Sequence, residues 1–427
     1  MKTDPVELLK DLVRTDTTNP PGNEAILMEK LEEIFRQEGI PYLHQQTAPG
    51  RGNLLAWLRS EGKPQLPALV LLSHMDVVAA QAEQWQFPPF AAQEDQGYIY
   101  GRGTVDTKQL TVMELEAFLN LKGKPLCRDV YFLATSDEES GSTYGLKWFL
   151  EHTITVDEKT CTGEQLLQNS DVISEGGGFP ILANGKELYL CETGQKGCGS
   201  VTYTVKARKA KGPFFGSGDG MARAMALAQD IGSRKLEGRE LETVACFREA
   251  LAGSTLSPMM EKIMQAMQGN TLTVTLISGK SVNEVCVTCD VRLLPGFGRE
   301  YLTGILEDLA RKWDCTYEIT SLGQGYESSP QGEFLKILEQ ATLEQRGKTR
   351  QEAQVVPFVS MGSSDGHLLV DCGAHVYGYS PVLPWDMTFD TAVSMVHGVN
   401  ERIHRDSVLF GCRVLTQAVE KAAKKEA

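Results

Sequence analysis

Apolar residues fall along this chain in two patterns. Residues 68–78, ALVLLSHMDVV, open with an uncharged aliphatic run, the signature of a strand buried on both faces. Residues 128–135, RDVYFLAT, carry a second such run, and Val172-Ile173-Ser174 closes a shorter third. Residues 53–58 read as a further strand. Helical spacing appears instead at Val6, Leu8, Leu9, Leu12 and Val13, behind the capping pair Asp4-Pro5. It recurs over residues 24–38, after a rigid turn at Thr18 to Asn23. It returns beyond Asp106, where Leu110, Met113, Leu115, Ala117, Phe118 and Leu121 supply the apolar positions.

The middle of the chain changes rhythm. Residues 199–207, 271–278, 284–294 and 316–321 predict strands, and residues 221–231, 258–267 and 300–313 predict helices. This alternation suggests a small α+β layer separate from the rest. After it come a helix over residues 333–346, a strand over 375–379, and a closing helix from near Val399. The expected class is therefore α/β. A mixed sheet flanked by helices occupies residues 1–193 and 323–427, interrupted by a smaller α+β unit at 194–322. The aromatic loop at residues 85–90, WQFPPF, is expected to cover the core.

Composition narrows the function. The 427 residues are 41% hydrophobic and 23% charged, with a formal net charge of −14. That balance suits a globular protein and opposes a nucleic-acid binder, whose footprint is a basic face. The ten cysteines are scattered, and several sit inside apolar runs, as Cys191, Cys286 and Cys315 do. The lone Cys286-x-x-Cys289 spacing reads as buried strand residues. The start MKTDPVELLK lacks an apolar signal-peptide core, and no long uncharged apolar run follows. The expected location is cytoplasmic, away from membranes.

Each buried strand ends in candidate chemistry. The first ends in His74-Met75-Asp76, the second in Asp137-Glu138-Glu139, the third in Glu175 followed by three glycines. Ligands collect beyond the carboxyl ends of strands in open α/β sheets. His74 and Asp76 project the same way if the chain stays extended, whereas Glu138 and Glu139, being adjacent, point apart and can do two jobs. His74, Asp106, Glu139 and Glu175 together make one imidazole and three carboxylates. That set suits a pair of zinc-like ions bridged by one carboxylate.

These residues sit in stretches that resemble the M20 family of metallopeptidases and amidohydrolases. The matching stretches are TNPPGNE at residues 18–24, SHMDVV at 73–78, GRGTVDTK at 101–108, SDEESGS at 136–142, SEGGG at 174–178 and HGVNE at 397–401. The resemblance implies five metal ligands, His74, Asp106, Glu139, Glu175 and His397, with Asp106 bridging two divalent ions (zinc, or cobalt or manganese). It implies that Asp76 orients His74 and that Glu138 is the general base and acid. It further implies that the central unit is a lid that can pair two copies of the chain. The substrate is then a small peptide or N-acyl amino acid, cleaved at an amide next to a free carboxylate. His367 and His375 are expected to be structural or supporting.

The lid departs from the family pattern. The family's lid histidine has no counterpart, because no histidine lies between His152 and His367. Lys209 and Lys211 stand in the corresponding basic, glycine-rich stretch. Losing one preorganised oxyanion donor typically costs about a hundred- to a thousand-fold in rate. Asn283 and Arg292 resemble the pair that holds the substrate carboxylate, although they stand closer together than usual. Residues 361–365, MGSSD, resemble the loop that closes near the substrate. Two rival readings remain: a catalytically impaired relative with a binding or scaffold role, and a two-metal phosphoesterase.

Overall fold

A computed structural model describes residues 4–208, 219–281 and 284–424. Asn283, Lys209 and Lys211 lie outside the described residues.

Among these residues a ten-stranded mixed sheet forms the larger part of the protein. Its centre is built from the three predicted aliphatic runs. Leu69–His74 lies parallel to Val130–Thr135 on one side and to Asp171–Ser174 on the other. His375–Gly378 continues the parallel set beside Asp171–Ser174. Alternation along these strands feeds two cores. Leu69, Leu71, Phe132 and Ala134 join the cluster on one face, while Val70, Leu72, Tyr131 and Leu133 join the cluster on the other. Burying one such side chain contributes about 1.5–3 kcal/mol, and a one-residue slip of register would put each residue set into the core shaped for the other.

Helices cover this sheet. Lys108–Asn120 packs against Leu69–His74, and the long helix Arg405–Ala423 packs outside it. The first helix, Pro5–Arg14, begins as its sequence predicts: Asp4 accepts a hydrogen bond from the Val6 N–H at 2.9 Å, with Pro5 in the first turn. The closing helix begins at Arg405, later than the expected start near Val399, and a further short helix precedes it. Phe389–Met395 ends before His397 and Asn400, which adopt φ of +58° and +60°. Arg402–His404 then pairs with Tyr98–Tyr100 as a short strand before Arg405–Ala423 begins. Left-handed residues terminate helices, which an apolar spacing alone does not reveal. Trp85, in the aromatic loop, is buried beneath the Arg102 guanidinium.

A separate four-stranded antiparallel sheet joins Thr271–Ser281, Glu284–Leu293, Gly197–Lys206 and Thr316–Leu322. Helices Gly220–Ser233 and Arg299–Trp313 pack on it, and Val201, Tyr203, Leu227, Ile231 and Leu306 share its own core. Cys286 and Cys289 are buried strand residues there. Two helices from the same stretch of chain go elsewhere. Val244 and Phe247 of Glu242–Ala250, and Met260 of Pro258–Ala266, join the core of the larger unit. Phe247 meets Phe358 with ring centroids 6.1 Å apart. Among the described residues no helix is long and apolar enough to cross a membrane.

Candidate metal centre

Because the central strands are parallel, their carboxyl ends share one edge of the sheet, and the residues that follow each strand converge there. His74 is buried at the end of its strand. Its Nδ1 lies 3.0 Å from the backbone carbonyl of Asp76. A carbonyl oxygen only accepts, so Nδ1 carries a proton and donates, which leaves Nε2 as the ring nitrogen turned to the cluster. The Asp76 carboxylate is farther from the ring, at 3.5 Å.

That Nε2 faces Asp106 Oδ1 at 3.1 Å and Glu175 Oε2 at 3.3 Å. On the other side, His397 Nε2 lies 3.1 Å from Asp106 Oδ2 and 3.0 Å from Glu139 Oε2. Asp106 therefore stands between two imidazoles, one oxygen toward each. Potential ligand atoms of His74, Asp106 and Glu139 all lie within 4.8 Å of one another, as do those of His74, Glu138 and Glu175. The residues fit divalent cations on a second ground. Glu139 Oε1 is buried and has no hydrogen-bond partner, and such orphaned acceptors are costly unless an ion satisfies them.

Electrostatics follow from crowding acids in a buried place. Burial raises the pKa of Glu138 well above its ordinary value, and neighbouring Glu175 adds to the effect. Glu175 is pushed up to about 7 by burial, against the pull of His74. Asp106 moves the opposite way, because its hydrogen bonds to His397 and His74 outweigh its burial. Contacts with Asp106 and Glu139 raise His397 to about 10.

The loops carrying these groups are held by buried polar contacts. Asp76 accepts the backbone N–H groups of Glu138 and Glu139 at 3.1 Å each, and the Asn19 side chain at 2.8 Å. Arg51 bridges Glu24 and Asp137 at 2.9 and 2.8 Å, behind the same loop. Glu401 cradles the Asp106 loop. Its carboxylate accepts the N–H groups of Gly103, Val105 and Asp106, together with the Arg102 guanidinium. The peptide between Asp106 and Thr107 is cis. Gly178, at φ +93°, lets the chain after Glu175 pass Ser380, whose backbone lies 2.2 Å from where a Cβ would stand. Asn19, Glu24, Arg102 and Glu401 all lie in the motifs quoted above, but their spacing along the chain carried no sign of these roles. Arg51 lies outside those motifs, and no local pattern marks it.

A cavity of about 730 Å³ opens onto the cluster, with Asp106, Glu138, Glu139, Glu175 and His397 among its lining residues. Arg292 is not among its lining residues. Its fork is taken by Asp290, at 2.9 and 3.0 Å, and it also donates to the Met361 carbonyl at 2.8 Å. It thus sits behind the loop at residues 361–364 that lines the cavity. His367 is half-buried beside that loop, with Nδ1 2.7 Å from the Ser364 carbonyl. His375 is exposed, 3.4 Å from Asp171.

Comparison with known proteins agrees with this picture. Residues 70–421 match the family model of Peptidase family M20/M25/M40. Acetylornithine deacetylase of Vibrio atlanticus is 26% identical over 373 residues, covering 83% of this chain and 86% of that protein. Mouse aminoacylase-1 is 34% identical over 150 residues, covering 34% of this chain and only 36% of that protein's length. In fold, the chain resembles the M20 family metallo-carboxypeptidase Sso-CP2 of Sulfolobus solfataricus. The TM-score is 0.75 at 19% identity, over 98% of this chain and 99% of that one. The chain belongs to peptidase family M20.

Proposed function

We propose that this protein hydrolyses an amide or peptide bond next to a free carboxylate, in a dipeptide, a C-terminal residue or an N-acyl amino acid. In this reading His74, Asp106 and Glu175 hold one divalent ion, and Asp106, Glu139 and His397 hold a second. The observation that carries it is the placement of Asp106 between the two imidazoles, 3.1 Å from each. Two such ions, zinc, cobalt or manganese among them, would supply Lewis acidity that polarises the amide oxygen and acidifies a water.

The protein's own groups do the rest. Glu138 stands beside the ligand set, and burial makes its carboxylate a stronger base than an exposed glutamate. It takes a proton as the water oxygen bonds to the amide carbon. It returns a proton to the nitrogen as the C–N bond breaks, giving a carboxylic acid and an amine. Asp76 fixes Glu138 and Glu139 through their backbone N–H groups. Division into a catalytic unit (residues 1–193 and 323–427) and an inserted lid (194–322) is supported by the second sheet's separate core. Pairing of two copies through that lid is supported by its edge strand Thr271–Ser281, where Leu276 is exposed. The free thiols, several of them buried, suit a reducing cytoplasm. The missing lid imidazole favours one rival, a metal-binding relative without turnover.

The test is hydrolysis of a panel of dipeptides and N-acyl amino acids by metal-loaded protein, with bound metal quantified. Glu138→Gln should retain metal and lose about a hundred- to ten-thousand-fold in kcat, and chelation should abolish turnover. Two bound ions with no turnover on any substrate would favour the rival.

A further inference from the structure

The cavity has an apolar lining that the metal centre does not explain. Its walls turn apolar immediately beyond the ligands: Phe179 follows Glu175 by four residues, and Val396 directly precedes His397. Val393 lies one helical turn before His397, and Ile263 comes from the helix Pro258–Ala266. Val393 and Val396 are 44% and 37% exposed, so both offer apolar surface to whatever fills the cavity.

Helix Pro258–Ala266 contributes one more feature. Pro258, Lys262 and Ala266 all line the cavity. Residues four apart share a helix face, so Lys262 sits in the middle of the face presented to the cavity. The helix end is anchored there: buried Lys196 donates to the Ala266 carbonyl at 3.0 Å. Among the described residues lining the cavity, Lys262 is the one lysine or arginine, in a lining that also holds Asp106, Glu138, Glu139, Glu175, Glu192 and His397.

We propose that this cavity selects substrates with a bulky apolar group beside the scissile amide, and that Lys262 pairs with the substrate's carboxylate. The inference rests on the hydrolase reading above and adds the substrate class and an anchoring cation. An apolar side chain or acyl chain would cover Val393, Val396, Ile263 and Phe179. The substrate's carboxylate would meet the Lys262 ammonium on the cavity wall. Arg292, already held by Asp290, leaves this task to Lys262.

Two measurements test the inference separately from the hydrolase reading. The first compares kcat/KM of N-acetyl-leucine and N-acetyl-phenylalanine with N-acetyl-aspartate and N-acetyl-lysine, and each free acid with its carboxamide. Apolar substrates should lead by at least about tenfold, the scale of one or two methylenes in a pocket. Val393→Asp should erase that lead. Lys262→Met should remove the preference for acid over carboxamide, mainly through KM, and Lys262→Arg should restore it. The second measurement is calorimetric binding of uncleavable ketomethylene isosteres of the leucine and aspartate substrates. Tighter binding of the leucine isostere without turnover would uphold the inference while sinking the hydrolase. Equal handling of polar and apolar substrates, or an undiminished acid preference in Lys262→Met, would overturn it.

Discussion

Glu401→Gln isolates the device that shapes the Asp106 loop. The wild-type carboxylate is buried and accepts four donors, from Gly103, Val105 and Asp106 N–H and from Arg102, at 2.6 to 3.1 Å. Glutamine offers one oxygen, so its NH2 group must face donors on one side. If the oxygen stays with Val105 and Asp106, the contacts to Gly103 and Arg102 fail. Two hydrogen bonds involving a charged group are worth about 1.5–3 kcal/mol each. Breaking a buried pair by removing one partner costs about 3–5 kcal/mol. Arg102 keeps its contact with the Gly398 carbonyl at 3.1 Å and its place over Trp85, which sets the expectation at the lower end, about 3 kcal/mol. Urea unfolding of chelated protein measures this without a contribution from bound ions. Tryptophan fluorescence and far-UV circular dichroism should be followed together, because Trp85 reports locally on Arg102. A loss below about 1 kcal/mol, with metal affinity unchanged, would refute the view that Glu401 holds this loop.

Three further outcomes are expected. Arg51→Met leaves the buried carboxylates of Glu24 and Asp137 without their cation, and should cost about 3–5 kcal/mol in the same unfolding assay; near-neutrality would show that these acids fold protonated. Glu187 meets Arg346 and Lys348 at 2.7 Å each; burial pushes its pKa up, but these partners more than offset it and hold it below 4.5. A depressed carboxylate stabilises the fold above its unfolded pKa and loses that contribution as pH falls through the folded value. Wild type should therefore exceed Glu187→Gln by about 1 kcal/mol at neutral pH, converging below pH about 4.5; a gap that persists in acid would contradict the pairing. Finally, ions at a hundred times their dissociation constant should stabilise the protein by about 2.7 kcal/mol, so identical unfolding temperatures with and without chelator would exclude binding at this cluster.

What the sequence revealed and what it concealed divide along a physical line. A doubly buried strand writes its own signature, an aliphatic run, and its polar end marks where the sheet's carboxyl edge begins. His74, the Glu138–Glu139 pair and Glu175 were legible for that reason, and parallel pairing then placed them at one edge. His397 was named only through its motif, since no strand precedes it; it stands at φ +58° just past a short helix. Arg51, Asn19 and Glu401 act through hydrogen bonds to residues 27, 57 and 296 positions away in the chain, and no local pattern encodes such partners.

The helix Pro258–Ala266 shows the same limit from the side of packing. Its spacing foretold a helix, and its place in the chain suggested the smaller unit. An amphipathic stripe specifies that one face is apolar without saying which core receives it. Here Met260 joins the larger core, and that choice turns Lys262 and Ile263 into cavity wall. On the proposed reading, substrate selection by this protein is carried by a segment whose local sequence records only that it is helical.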